Sequence, residues 1–435
     1  MRPIHVGLLG IGVVGSGTFN VLKRNQDDIC GRAGRGIEIV MVAARDIARA
    51  RGIVGEQVEV VNDPWQVVDD PRIDVVVEVI GGCTLAKELV LRAIANGKHV
   101  VTANKALLAE HGMEIFAAAR ARSVVVAFEG AVAVSIPIIK ALREGLSGNR
   151  IEWVAGIING TTNFILSGMR DKGLPFDAVL KEAQRLGYAE ADPAFDIEGV
   201  DAAHKATLLA SVAFGIPVQF DKAHVEGITR LEAVDIAIAE RLGYRIKLLG
   251  IAKRTADGIE LRVHPALVPA RCLIANVEGS MNAVMVKSDA AGVTMYYGAG
   301  AGSEQTASAV IADLIDITRL ATAEHEHRVP YLAFQPQAMV QTPVLPIADV
   351  RTSYYLRIAV RDTPGVMADI TRLLAAHDVS IDALQQQAPA GREQTDIIVL
   401  THETVERAMD AALAGIAALP TVLGPITKLR VEQLA

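Results

Sequence analysis

The sequence predicts an α/β protein in three parts, and three observations carry that reading. A short apolar strand pattern near the N-terminus runs straight into Gly10-x-Gly12-x-x-Gly15 and then into a helical pattern. Further apolar strands alternate with helical segments up to about residue 128, as in a parallel sheet with crossover helices. Beyond a stretch punctuated by Pro330, Pro336, Pro343 and Pro346, strands and helices follow in the order βαββαβ. The expected units are a Rossmann-type nucleotide-binding domain at 1–130, completed by about 303–328, and an α+β substrate and dimerisation domain at 131–302. A linker at 329–349 then leads to a compact α+β domain at 350–435.

Ile4–Leu9 is the first strand. Gly10 permits the tight turn, Gly12 lets the backbone approach a pyrophosphate, and Gly15 lets helix and strand pack closely. Gly10, Gly12, Val13, Val14 and Gly15 thus form a cradle of helix N–H groups for phosphates. A helix is expected around Thr18–Arg24, followed by a glycine- and arginine-rich loop from Cys30 to Gly36. The second strand, from Ile37 to Ala44, ends at Arg45-Asp46. An acid at this point takes the 2′-hydroxyl of NAD, whereas an arginine accommodates the 2′-phosphate of NADP, so Arg45 favours NADP while Asp46 speaks for NAD.

Ile73–Ile80 is the next strand, with a helix over Thr84–Asn96. The strand from His99 then brings Thr102, Asn104 and Lys105 to its carboxyl edge, where open α/β sheets bind ligands. Ser123–Phe128 completes the pattern, and Glu129–Pro137 leads out of the first unit. In the second unit a strand over Glu152–Ile158 precedes Asn159-Gly160-Thr161-Thr162-Asn163. These small polar residues can ring a polar substrate or serve as turn and cap residues.

Between Glu190 and Lys205, carboxylates and a lysine crowd the point where a polar loop becomes a helix. Asp201 and Lys205 are four apart on that helix and share a face. Such a face can hold an ammonium group with carboxylates while the lysine exchanges a proton with a neighbouring oxygen. The bland alternative is an exposed i,i+4 ion pair contributing only about 0.3–0.5 kcal/mol. His204 points elsewhere on the helix, toward a packing role. His325 and His327, flanking Glu326, fit a solvated helix end better than a metal site.

Composition narrows the function classes. Of 435 residues, 51% are hydrophobic and 21% charged, which allows two or three domains with sizeable cores. A net charge of −7 with scattered cations gives no footprint for nucleic acid or a membrane, so small polar ligands are expected. Cys30, Cys83 and Cys272 are too few and too distant for a disulfide framework or a metal centre, and no apolar run reaches membrane-spanning length. A cytoplasmic protein is expected.

Taken together, the Gly10–Gly17 loop, Thr102-Ala-Asn-Lys105, Gly156-Ile-Ile-Asn-Gly-Thr-Thr-Asn163 and Asp192-Pro-Ala-Phe-Asp-Ile-Glu-Gly-Val-Asp-Ala-Ala-His-Lys205 resemble the homoserine dehydrogenase family, in order along three quarters of the chain. The form resembled lacks a fused kinase. The resemblance implies reversible hydride transfer between L-homoserine and L-aspartate 4-semialdehyde, with Lys205 and Lys105 in proton transfer. It places Glu190 and Asp201 on the amino-acid substrate, with Asp196, Gly160 and Thr161 beside them. Thr102, Lys105, Gly187, Glu190 and Gly302 would lie at the NAD(P) cofactor.

The resemblance further implies a sodium ion on the main chain of Glu129, Val132, Val134 and Ile136. Here the sequence departs from the family's glycine-rich pattern, reading Ala133-Val134-Ser135. The family usually has proline where Gln305 stands, after the second glycine-rich turn that ends at Gly302. The strand, Asp362-Thr-Pro-Gly365 turn and helix near the C-terminus resemble an ACT domain, which implies an amino-acid effector, threonine, at Asp362 and Gly365. A homodimer or homotetramer is implied as well. Two other readings stay open: an oxidoreductase of another amino-acid semialdehyde, and a non-catalytic amino-acid-sensing regulator.

Overall fold

The computed structural model describes residues 2–320, 328–387 and 393–434. His325, Glu326 and His327 lie outside the described residues. The first sheet holds β1 (Ile4–Leu9), β2 (Ile37–Ala43), β3 (Glu59–Val61), β4 (Val75–Glu78), β5 (His99–Thr102) and β6 (Val126–Ala127). All pair in parallel in the order β3-β2-β1-β4-β5-β6, the doubly wound nucleotide-binding arrangement whose ligand crevice lies at the carboxyl ends of the strands. Both faces are covered, so the strands are apolar throughout: Val75, Val76 and Val77 are all fully buried.

Local boundaries differ from the sequence reading for identifiable reasons. The first helix starts at Val13 rather than Thr18 and carries Gly15 and Gly17 inside it. A Cβ on Gly15 would stand 2.1 Å from Gly10 O, and one on Gly17 2.4 Å from Ser303 Oγ, so these glycines buy close packing rather than a turn. Most of the expected Cys30–Gly36 loop is helix, Gln26–Ala33, with Asp27 and Asp28 in its first turn and left-handed Gly34 ending it. Of the expected strand at Ser123–Phe128 only β6 is paired; Ser123 has φ +53° and Phe128 enters a turn at Glu129.

The second sheet is built from β7 (Ile151–Ile157), β8 (His224–Val225), β9 (Tyr244–Arg254), β10 (Ile259–Pro269), β11 (Met281–Ser288), β12 (Gly292–Ala299), β13 (Arg351–Arg361), β14 (Ile381–Gln387), β15 (Gln394–Thr401), β16 (Thr404–Val405) and β17 (Thr427–Val431). Its main path runs β12-β11-β7-β9-β10-β17-β13-β15-β14. The C-terminal unit keeps the expected βαββαβ order, with helices Val366–Ala376 and Glu406–Ala417, plus the two-residue β16. Its sheet is not separate: β17 pairs in parallel with β10, Ala266 opposite Arg430 and Leu267 opposite Val431. The helix Val200–Phe214 lies on the β9 and β10 face and is buried along almost its whole length, which explains its apolar composition.

Candidate active site

Two strand ends, one from each sheet, converge on the Asp201 carboxylate. From the first sheet, β5 delivers Thr102, whose hydroxyl donates to Glu78 Oε2 at 2.7 Å and accepts from Asn104 N at 3.0 Å. Asn104 caps the helix Lys105–Ala121, taking Leu107 N at 3.1 Å, and ties back to Gly82 O at 2.7 Å. Lys105 is therefore held at a fixed helix start. Glu78 is fully buried at the end of β4, accepting from Ile80 N and Gly81 N; burial raises its pKa. The sequence reading missed Glu78, although an acid closing a Val-Val-Val run was a visible signal.

From the second sheet, β7 ends so that Ile158 O accepts Lys205 Nζ at 2.9 Å. Asn159 then caps the helix Gly160–Lys172 through Thr162 N at 2.8 Å, and its Nδ2 donates to Asp196 Oδ1 at 2.7 Å and Asp201 Oδ2 at 2.8 Å. The sequence offered Asn159 as a substrate-ring or cap residue; it is a cap, and its link to both aspartates carried no sequence signal. Gly160 packs against Ser280 O, 2.7 Å from where a Cβ would stand, and Thr161 Oγ1 lies 2.8 Å from Tyr188 O and 3.2 Å from Asp196 Oδ2.

The Val200–Phe214 helix completes the cluster. Lys205 Nζ donates to Asp201 Oδ2 at 2.7 Å, and Lys105 Nζ is 3.0 Å from Asp201 Oδ1. The exposed-pair alternative does not hold: Asp201 is 3% and Lys205 6% exposed. Burial would raise the Asp201 carboxyl, but Lys205 and Lys105 outweigh it and hold the group well below the usual carboxylate range. Burial lowers the Lys205 pKa against the opposing pull of Asp201, and burial raises that of Asp196. One anion thus carries two ammonium groups, one enclosed and one, Lys105, with a third of its side chain open. Such a site can bind a polar substrate at the open lysine and pass a proton through the enclosed pair.

Phe195 stands at the rim, with Lys105 Nζ 5.7 Å from its ring centroid. His204 packs edge-on between Phe195 and Phe220, outside the proton path, as expected of a packing residue. Glu190 and Gly187 lie on the exposed loop next to Tyr188. The Glu190 carboxylate joins no hydrogen bond among the described residues; only its carbonyl does, accepting from Gln184 Nε2 at 3.1 Å.

The crevice beside this cluster fits a dinucleotide. Gly10 has φ +99°, and Gly12 has open space where a Cβ would point. Val13, 65% exposed, starts a helix with no acid in its first turn. The helix Ser303–Leu320 returns to this unit and docks on the first helix, Ser303 Oγ donating to Val13 O at 2.6 Å and Arg24 pairing with Glu304 at 2.8 Å. Gly302, φ +139°, precedes it, and Gln305 folds its side chain over that turn. Arg45 is exposed past β2, while Asp46 is engaged as a helix cap, accepting from Arg49 N at 3.0 Å.

The loop Glu129–Ile136 turns left-handed at two positions that are not glycine: Ala133 has φ +54° and Val134 +51°. For a β-branched residue this is a strained conformation, held by surrounding structure. The Glu129 carboxylate caps the turn at Ile139 N and Lys140 N, while burial and Asp313 push its pKa up to about 8. Among the described residues no group of His, Cys, Asp and Glu is arranged to hold a metal through side chains.

With a doubly wound nucleotide domain beside a buried lysine–aspartate pair, the chain is an NAD(P)-dependent oxidoreductase acting on a CH–OH group. Family models described as homoserine dehydrogenase match residues 137–315, and its NAD-binding domain 10–129; an ACT-domain model matches 354–417. The homoserine dehydrogenases of Pseudomonas aeruginosa and Neisseria gonorrhoeae are 57% and 54% identical over 435 and 434 residues, covering 100% of each chain. A crystal structure of a homoserine dehydrogenase from Thiobacillus denitrificans is similar at TM-score 0.96 and 62% identity, over 100% of this chain and 99% of that one. A hyperthermophilic archaeal homoserine dehydrogenase in complex with NADPH is similar at TM-score 0.62 and 26% identity, over 73% of this chain and 98% of that one. The chain belongs to the homoserine dehydrogenase family, and its reaction interconverts L-homoserine and L-aspartate 4-semialdehyde.

Proposed function

We propose that Lys205, Asp201 and Lys105 form the proton-transfer unit of this reaction, with NADP as the preferred cofactor. The observation that carries the reading is the single buried carboxylate shared by two lysines at the edge of the nucleotide crevice. When bound, the nicotinamide supplies or accepts the hydride. As the aldehyde is reduced its oxygen gains negative charge, and a lysine ammonium donates a proton to it; in the oxidation direction the neutral amine takes the hydroxyl proton. Burial of Lys205 shifts it toward its neutral form, while Asp201 keeps both Nζ atoms in place. Asp196 and Asn159 fix Asp201 from behind, and Thr161, Gly160 and Glu190 line the approach for the substrate ammonium. The backbone of Gly10, Gly12, Val13, Val14 and Gly15 would hold the pyrophosphate, with Thr102, Gly187 and Gly302 nearby. Arg45, exposed at the end of β2, would take the 2′-phosphate.

Several further assignments belong to the same reading. Val132 O and Val134 O accept no hydrogen bond among the described residues, which suits a sodium ion held with Glu129 O and Ile136 O. Gly365, φ +94°, caps the helix Val366–Ala376 beside Asp362, whose carboxylate accepts from Gln386 at 3.1 Å; threonine is the proposed effector there. The sheet ends in open edges at β12 and β14, and β12 carries exposed Val293 and Tyr297, as a homodimer or homotetramer would use. No helix among the described residues is long and apolar enough to cross a membrane, and a cytoplasmic location is proposed. The test is NADP reduction by L-homoserine at mildly alkaline pH, repeated with NAD and with rising threonine. Turnover greater with NADP and falling with threonine is expected. Greater turnover with NAD overturns the cofactor preference, and insensitivity to threonine overturns the effector.

A further inference from the structure

At the end of the Val200–Phe214 helix remote from Asp201, a cleft of about 400 Å³ opens between the turn after β9 and residues 340–343. β7 and β9 are antiparallel with Trp153 opposite Lys253, so Arg150, just ahead of β7, comes beside Arg254 at the end of β9. Both line the cleft. The Arg254 guanidinium lies over the Phe214 ring, 5.1 Å from its centroid, and its Nε is buried with no hydrogen-bond partner. Among the described residues neither arginine forms an ion pair, although the chain has 50 acidic side chains and a net charge of −7. Asp257 is the one carboxylate in the lining, and it is bonded to neither. Burial and then Arg150 lower the Arg254 pKa, the sign of two like charges facing each other without an anion between them.

We propose that Arg150 and Arg254 form a binding site for a small phosphorylated ligand, a dianion whose oxygens both guanidiniums grip. Two forked donors, one just ahead of β7 and one at the end of β9, match a tetrahedral dianion, which offers oxygens in several directions. The opposite wall is tied to the catalytic helix: Val340 N donates to Gly215 O at 2.9 Å, and Pro343 O accepts from Ile259 N at 2.9 Å. An occupied site therefore braces the end of the helix that carries Lys205.

The test is calorimetric titration of inorganic phosphate into the full chain, saturated with NADPH to block the nucleotide crevice, at constant ionic strength set with chloride. One saturable event is expected, weakened at least about tenfold in Arg150→Ala and in Arg254→Gln. Arg150 is exposed, so its variant tests the site without disturbing the core. Absence of saturable binding, or equal affinity in both variants and the parent, overturns the proposal. So does succinate binding as tightly as phosphate, which would make the site one for carboxylates. Loss of oligomer mass in Arg150→Ala with phosphate binding unchanged would instead assign the arginines to a partner's acid.

Discussion

Two buried charge clusters in this molecule look alike and do opposite work. At the active site one aspartate holds two lysines, Lys105 and Lys205. At the seam between β10 and β17, arginines do most of the pairing: Arg430 binds Glu406 at 2.5 Å and Glu226 at 2.9 Å, with Lys428 2.6 Å from Glu406, and Arg262 binds Glu260 at 2.8 Å and Glu432 as well. Arginine never gives up its proton and locks into carboxylates by a planar fork, so the seam is a permanent joint between the catalytic sheet and the C-terminal domain. Lysine shifts readily when buried, so the active-site cluster can trade a proton. The proposed difference between the two clusters is proton exchange, which a buried lysine permits and an arginine does not.

That contrast can be broken in several ways. Asp201→Asn leaves one enclosed and one partly open ammonium group without their anion, and turnover should fall by about 10²–10⁴, the range of general acid–base contributions, while NADPH affinity measured by fluorescence stays near the parent value. Arg430→Ala should do the reverse. It takes the guanidinium from buried Glu406, leaving it only Lys428 and the Tyr354 hydroxyl, and should cost about 1.5–3 kcal/mol in urea unfolding, with the remaining folded enzyme turning over near the parent rate. If Arg430→Ala instead lowered turnover and left stability intact, the seam would be part of the catalytic apparatus.

A third group sharpens the point about protonation. His99 accepts a hydrogen bond from Val125 N at its Nδ1, and burial holds its pKa near 4. The unfolded chain takes that proton near pH 6.5, so between pH 6.5 and 4 the unfolded state binds more protons and stability falls as pH falls, by roughly 3 kcal/mol from this residue. Urea unfolding of the parent and His99→Asn across that window should show a shallower acid slope in the variant. The smallest effect concerns the cofactor: Arg45→Ala should raise the KM for NADP about tenfold, equal to about 1.4 kcal/mol, and leave that for NAD nearly unchanged. Equal losses for both would remove Arg45 from 2′-phosphate recognition.

Much of this was legible in the sequence because it depends on the backbone. The glycine spacing after β1, the strand that ends at Thr102 and the βαββαβ order near the C-terminus all follow from local pattern. The Asp201–Lys205 spacing also pointed to one shared face, but its burial was decided by β9 and β10 packing from far along the chain. Glu78 was hidden for the same reason, since its partner Thr102 is distant in sequence, and so was the link that Asn159 makes between Asp196 and Asp201. Nor could the shared sheet be read: Arg262 and Arg430 look like ordinary strand charges until β10 and β17 meet.

The most direct test of the central claim is the rate of NADP reduction by L-homoserine in Lys205→Ala beside the parent, with NADPH binding measured on the same samples. A loss of about 10²–10⁴ in kcat at unchanged NADPH affinity is the predicted result. Turnover equal to the parent would contradict it and remove the buried lysine from proton transfer.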